Sequence, residues 1–202
     1  MTIKIYELCA EDEQVLFSPH CWKTRLSVAH KGLDYETVAT TFTAVATTEN
    51  GDGRKVPVIR DGKTVIEESF EIAKYLDRQY PDAPDLVGGD AGAALTQVII
   101  NWSQTQVHPA VVKMSLMEIF NGLAPADKEH FRTTREKLFN KTLEEFQAQC
   151  DTGDFSGLNA ALLPLELTLR KQDYVGGETP LFADYVVFGP LQRLRVVKGI
   201  DT

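Results

Sequence analysis

The hydrophobic pattern divides the chain into a front part that switches period and a back part that does not. "IKIYEL" (3–8) carries Ile3, Ile5 and Leu8 at near-alternating positions and reads as a strand. From Pro19 to His30 the period lengthens, with Trp22, Leu26 and Ala29 at i, i+4 and i+7. Ser18 stands where an N-cap belongs, Pro19 at the first helical turn and Gly32 at the stop. "DYETVAT" (34–40) reads as a second strand. Residues 41–54 have room for one short helix, but their Thr, Asn and Gly content favours a loop. In "VPVIRDGKTVIEES" two short apolar runs flank Asp61-Gly62, the strongest local hairpin signal in the chain. A helix over 69–80 closes the series, giving β-α-β-(α)-β-β-α.

Residues 81–92, "PDAPDLVGGDAG", hold two prolines, three glycines and three acids and read as an interdomain linker. Everything after them carries the helical period: a long helix bent near Pro109, a segment over 124–150 and two helices over 158–172 and 180–198, each interrupted by a proline. In the 124–150 segment Phe131, Leu138, Phe139, Leu143 and Phe146 lie on one face. The expected architecture is α/β plus all-α: a mixed four-strand unit over 1–80, a linker over 81–92 and a helical unit over 93–202.

Composition narrows the class. With 202 residues, 43% of them hydrophobic and 25% charged, the chain suits a globular protein with a real core. Twenty-nine acidic residues against 21 Lys and Arg give a net charge of -8, which argues against nucleic acid or an anionic membrane as partner. No apolar run approaches the roughly 20 residues of a membrane span, and the N-terminus lacks the pattern of a secretory signal. Cys9, Cys21 and Cys150 are few, odd in number and scattered, so they read as reduced thiols in a cytosolic protein.

The candidate chemistry starts at Ser18-Pro19-His20-Cys21, which has the spacing of a two-cysteine redox motif with serine in the attacking place. A strand ending before a helix N-terminus offers free N–H groups and the positive end of the helix dipole, a setting that favours thiolates. Ser18 cannot become a thiolate itself, but its hydroxyl can donate to a thiolate that a ligand brings; the plain alternative is an N-cap and nothing more. Cys21 reads either as a small buried hydrophobe or as the remnant of a redox pair. The four histidines are scattered, and no metal site is expected.

Two later places fit the same ligand. If the Val56–Pro57 bond is cis, the Val56 backbone N–H and C=O are open to a peptide-like molecule. Glu68-Ser69 opens the next helix, where Ser69 and the N-terminus suit a carboxylate and Glu68 an ammonium. A molecule with a thiol, an amide backbone, a carboxylate and an amine engages all three. The plain readings are an edge-strand proline and another N-cap.

Ser18-Pro19-x-x-Trp22-x-x-Arg25, "KVPVI" (55–59), "IEES" (66–69) and "FADYVVFG" (182–189), in that order, resemble the glutathione transferases over essentially the whole chain. The resemblance implies a thioredoxin-like N-terminal domain, a helical C-terminal domain, glutathione as cosubstrate, no metal, a homodimer and a role in detoxification. It implies Ser18 as the catalytic serine, Val56 and cis Pro57 against the cysteinyl part of glutathione, Glu68 and Ser69 at the γ-glutamyl end, and Lys55 as a further contact. Arg54 is the candidate for the glycyl carboxylate. Within the family "SPHCWKTRLSVAHKGL" looks most like etherase-related and fungal-specific serine-type transferases. The implied reaction is attack of the glutathione thiolate on an electrophilic aromatic or an aryl ether, with walls of the second pocket at Phe17, Phe42, Trp102 and Met114; those four are equally readable as core. A ligandin that binds phenolic compounds with little turnover is the alternative, and a thiol transferase using Cys21 the third. Two departures stand out: Leu181, not Ser or Thr, precedes Asp184 in the C-domain capping motif, and the helical domain is expected to be shortened at its C-terminus.

Overall fold

The computed structural model describes residues 2–49 and 55–199. Four strands, β1 (Ile3–Leu8), β2 (Tyr35–Thr40), β3 (Val58–Asp61) and β4 (Thr64–Glu67), form one sheet in the order β2-β1-β3-β4. β1 pairs parallel with β2 and antiparallel with β3, and β3 pairs antiparallel with β4. The helix α1 (Pro19–His30) crosses from β1 to β2, and α2 (Ser69–Gln79) follows β4. Asp61 pairs with Thr64, so the hairpin turns on Gly62-Lys63, with Gly62 at the positive φ such a turn needs.

The second half is helical: α3 (Gly89–Trp102), a π-helical stretch (Ser103–Val107), α4 (His108–Gly122), α5 (Pro125–Phe139), α6 (Leu143–Ala148), α7 (Ser156–Leu169) and α8 (Phe182–Lys198). This is the mixed four-strand sheet and helical half that the pattern predicts, and the thioredoxin-like sheet that the resemblance implies. Helix α3 starts at Gly89, inside the segment read as linker. The bend expected near Pro109 falls in the π-helical stretch just before it; Pro109 has no N–H to donate to the Thr105 carbonyl. The segment over 124–150 is two helices, because Asn140 takes a left-handed conformation (φ 52°) that ends α5. Thr142 then caps α6, accepting the Glu145 N–H at 3.1 Å while Glu145 accepts the Thr142 N–H at 2.9 Å.

The core joins the halves. Ile3 and Ile5 from β1, Ile59 from β3, Val28 from α1 and Ile72, Ala73 and Leu76 from α2 pack with Leu86, Phe182 and Val186. Leu86 lies in the predicted linker yet is fully buried, its N–H held by Asp77 and its carbonyl accepting the Phe182 N–H at 2.7 Å. Helix α1 lies between the sheet and α8, so it buries Cys21, Lys23, Thr24, Ser27 and Val28, while Trp22, Leu26 and Ala29 keep contact with solvent. The stripe that identifies this helix in the sequence is therefore not the face it buries.

Side chains also tie the halves. Asp127 near the start of α5 is buried and accepts the Phe42 N–H, the Thr43 N–H and the Thr43 hydroxyl, each at 2.9 Å. At the start of α8, Asp184 accepts the N–H groups of Leu181 (2.9 Å), Val175 (2.7 Å) and Gly176 (3.2 Å). Leu181 has no side-chain acceptor to return the bond, and the Asp184 N–H goes to the Leu181 carbonyl instead. One half of the capping box is enough because its carboxylate also holds the incoming loop.

Candidate functional site

The register of the sheet brings the predicted residues to one end of it. Val58 stands opposite Tyr6 on β1 and opposite Glu67 on β4. Pro57 and Val56, just outside β3, therefore lie beside the end of β1, where the chain turns toward Ser18, and beside Glu68-Ser69. Ligand sites in sheets with parallel strands form at this carboxyl edge. The Val56–Pro57 bond is cis. Val56 is half-buried and Lys55 exposed. Arg54 lies outside the described residues.

Ser18 caps α1. It is extended (φ -69°, ψ 121°), buried, and its Oγ accepts the Cys21 N–H at a long 3.4 Å. Among the described residues its own proton goes to no carbonyl or carboxylate. The approach to Ser18 is fixed by the other two letters of its motif. The Trp22 indole N–H donates to the Leu16 carbonyl at 2.8 Å, and Arg25 makes two 2.9 Å bonds to Glu7 while its guanidinium stacks 4.3 Å from the Trp22 ring. Glu7 continues the inward series Ile3, Ile5 and is fully buried. Burial raises its carboxyl above the usual range, and the Arg25 partner opposes that.

Cys21 faces the core and not the site edge. Burial, and after it the Glu7 carboxylate, push its thiol up to about 12. The buried-hydrophobe reading of the sequence accounts for it.

Glu68 has φ 70° and ψ 126°, a conformation that costs an L-residue about 1–3 kcal/mol. It turns the carboxylate onto the N-terminus of α2, accepting the Phe70 and Glu71 N–H groups at 3.1 and 3.2 Å, with the Ser69 hydroxyl 3.3 Å away. Glu68 is exposed and Ser69 buried at its side. The nearby Lys23 ammonium is held down to about 8 by burial, with Glu68 pulling the other way.

The four predicted pocket walls fall into two hydrophobic clusters. Phe17 and Phe42 meet with ring centroids 6.2 Å apart in a cluster with Leu8, Leu116 and Phe131. Trp102 and Met114 belong to another, with Val107, Val111 and Leu194. Phe17 and Met114 are enclosed; Phe42 and Trp102 keep part of their surface open. Two open hollows lie elsewhere: one of about 660 Å³ between His30, Asp85 and Leu181, and one of about 200 Å³ between Lys113, Phe139 and Cys150. Sequence reasoning missed the buried pair Glu7–Arg25 and the Asp127 staple; neither leaves a local signal, since each partner lies far away in sequence. Among the described residues no group of three or more His, Cys, Asp and Glu is placed to hold a metal ion, and no helix is long and apolar enough to cross a membrane.

Known proteins match both halves. Residues 14–84 match the family "Glutathione S-transferase, N-terminal domain" and residues 94–202 "Glutathione S-transferase, C-terminal domain". A glutathione transferase of Phanerochaete chrysosporium, GSTFuA3, is 29% identical, with a TM-score of 0.84 over 98% of this chain and 86% of that one. A Ceriporiopsis subvermispora glutathione S-transferase, solved in complex with glutathione, shares the fold at 24% identity and a TM-score of 0.82, covering 98% of this chain and 86% of that one. Glutathione S-transferase-like protein ustS of Aspergillus flavus is 27% identical over 133 residues, 59% of this chain. The chain spans 47% of the length of that curated relative. With the helical half alone matched from 94 to 202 and the sheet half from 14 to 84, the chain belongs to the glutathione S-transferase family.

Proposed function

We propose that the protein is a serine-type glutathione transferase, in which Ser18 donates its hydroxyl to the glutathione sulfur. The observation that carries this reading is the convergence of the Ser18-capped helix, the Val56 backbone and the Glu68-Ser69 helix start at one end of the sheet. Glutathione lies across that edge with its cysteinyl amide along Val56, ahead of Pro57. Its γ-glutamyl carboxylate faces Ser69 and the α2 N-terminus, its ammonium faces Glu68, and Lys55 adds a contact from the open side. A free thiol titrates near 8.5, so lowering it by about two units requires roughly 2.7 kcal/mol in favour of the thiolate. A hydrogen bond to a charged acceptor contributes about 1.5–3 kcal/mol and the helix terminus about 0.3–1 kcal/mol. Together they suffice.

The thiolate then attacks an electrophilic carbon. A C–S bond forms, and in an aryl ether the C–O bond breaks and the phenoxide leaves. An electrophilic aromatic or aryl-ether acceptor, the homodimer usual in the family and a cytoplasmic setting complete the proposal.

The test is conjugation of glutathione to a model electrophile and a model aryl ether by wild type and Ser18→Ala. Loss of the Ser18 bond moves the apparent thiol pKa up by about 1–2 units and lowers kcat/KM near neutral pH by roughly 10- to 100-fold. An unchanged pH–rate profile in Ser18→Ala refutes the serine role. Tight binding of phenolic compounds by wild type without thioether product supports the ligandin alternative.

A further inference from the structure

Five basic side chains from four helices gather at the junction of the two halves, and among the described residues no carboxylate forms an ion pair with any of them. Helix α8 runs antiparallel along α1: Phe182 and Val186 share a core with Val28. Seven residues after Phe182, Gly189 lies so close to the Pro19 carbonyl that a Cβ would come within 2.3 Å of it. One turn further on the same face, Arg193 passes the N-terminus of α1, and Val196 and Val197 reach the cluster that contains Phe17. Arg193 thus stands at the Ser18 end of α1, its Nε shut from solvent with no acceptor among the described residues.

The other four surround it. Lys23 is only 4% exposed, and among the described residues the polar contact of its ammonium is the His20 ring nitrogen at 3.5 Å. The His20 and His108 rings are 5.9 Å apart. Arg135 lies over the faces of Phe131 (5.0 Å) and Phe42 (5.9 Å) and donates to the Thr134 hydroxyl at 3.3 Å. Burial, with mutual repulsion, holds His108 at about 3 and Arg193 at about 10 and lowers His20 well below its usual value, while Glu68 acts on Lys23 in the opposite sense. Cations kept out of water without counter-charge are costly, and an oxyanion removes that cost.

We propose that Lys23, Arg135 and Arg193, with His20 and His108 between them, form a subsite for the oxyanion of the second substrate, so that preferred acceptors are aromatic molecules carrying a carboxylate, sulfonate or phenolate. This rests on the transferase reading above. The aromatic part of the acceptor lies toward Phe42, whose ring Arg135 already covers, and the anion lies deeper, toward Arg193.

Equilibrium binding tests the subsite without turnover, so it stands apart from the Ser18 experiment. The probes are 8-anilinonaphthalene-1-sulfonate and its uncharged parent N-phenyl-1-naphthylamine, titrated by fluorescence into wild type, Arg193→Met and Arg135→Gln, with and without excess glutathione. Wild type is expected to bind the sulfonate more tightly than the parent. Arg193→Met loses about tenfold on the sulfonate and less than about twofold on the parent. Arg135→Gln shows the same selectivity of loss, and covers the case in which Arg193→Met fails to fold by circular dichroism. Equal losses on both probes, or no preference for the sulfonate in wild type, overturn the proposal. So does displacement of the sulfonate by glutathione, which assigns these cations to the tripeptide's own carboxylates.

Discussion

Acid should weaken this fold through His108, by an amount the structure fixes. The ring stands among His20 and Lys23 of α1, Arg135 of α5 and Arg193 of α8, and burial first, then the three permanent or near-permanent cations, lower its pKa from 6.5 to about 3. In the unfolded chain the same histidine takes up its proton near 6.5. Between pH 6.5 and 3 the unfolded state therefore binds one more proton than the folded state, and stability falls as pH falls. At pH 5 the unfolded-state advantage is 1.5 pH units, or about 2 kcal/mol, and it is almost nil at pH 7. His20 adds a contribution of the same sign. Urea unfolding followed by circular dichroism at pH 8, 7, 6 and 5, in one buffer-anion series, reads the effect in wild type and His108→Gln. Wild type should lose about 2 kcal/mol more than the variant between pH 7 and pH 5. Parallel pH dependences would mean that His108 titrates normally in the fold, and the picture of a desolvated cationic cluster would be wrong.

Two further outcomes follow from the packing. Asp127→Ala leaves the Phe42 and Thr43 N–H groups without their acceptor, at about 1–3 kcal/mol each, so thermal or urea unfolding should show a loss of roughly 2–5 kcal/mol; a change under about 1 kcal/mol shows that water replaces the carboxylate and the staple is not structural. Thiol labelling at pH 7.5 followed by peptide mapping should mark Cys150 first, because Cys21, at about 12, and Cys9, also raised by burial, offer little thiolate. Rapid native-state labelling of Cys21 would revive the thiol-transferase alternative.

Local signals carried far in this chain. The strand over 3–8, the Ser18-capped helix ending near Gly32, the Asp61-Gly62 hairpin and the proline-interrupted helices of the second half are all written in a few neighbouring residues, because turns, caps and periodicity act over one or two helical turns. The split at Asn140 was not read from the sequence, although Thr142 and Glu145 carry the spacing of a reciprocal cap. The arrangement of α1 was not legible. Its apolar stripe points to one buried face, but a helix packed on both sides buries lysine and cysteine as well, and nothing within twelve residues announces α8. The same holds for Glu7, which alternation places inward but only Arg25, eighteen residues on, makes tolerable.

The sequence by itself determined the element types, the division into a sheet half and a helical half, and the three short motifs at Ser18, Val56 and Glu68, because each depends on residues in direct succession. The tertiary structure alone decided that those motifs share one end of the sheet, that Phe17 and Met114 fall into separate cores, and that five basic groups from α1, α4, α5 and α8 meet with no ion-paired carboxylate among the described residues. The reason is physical. Register and interhelical packing are set by burial summed over the whole chain, and the close pass of Gly189 over Pro19, which brings Arg193 to the mouth of α1, exists only once both halves have folded against each other.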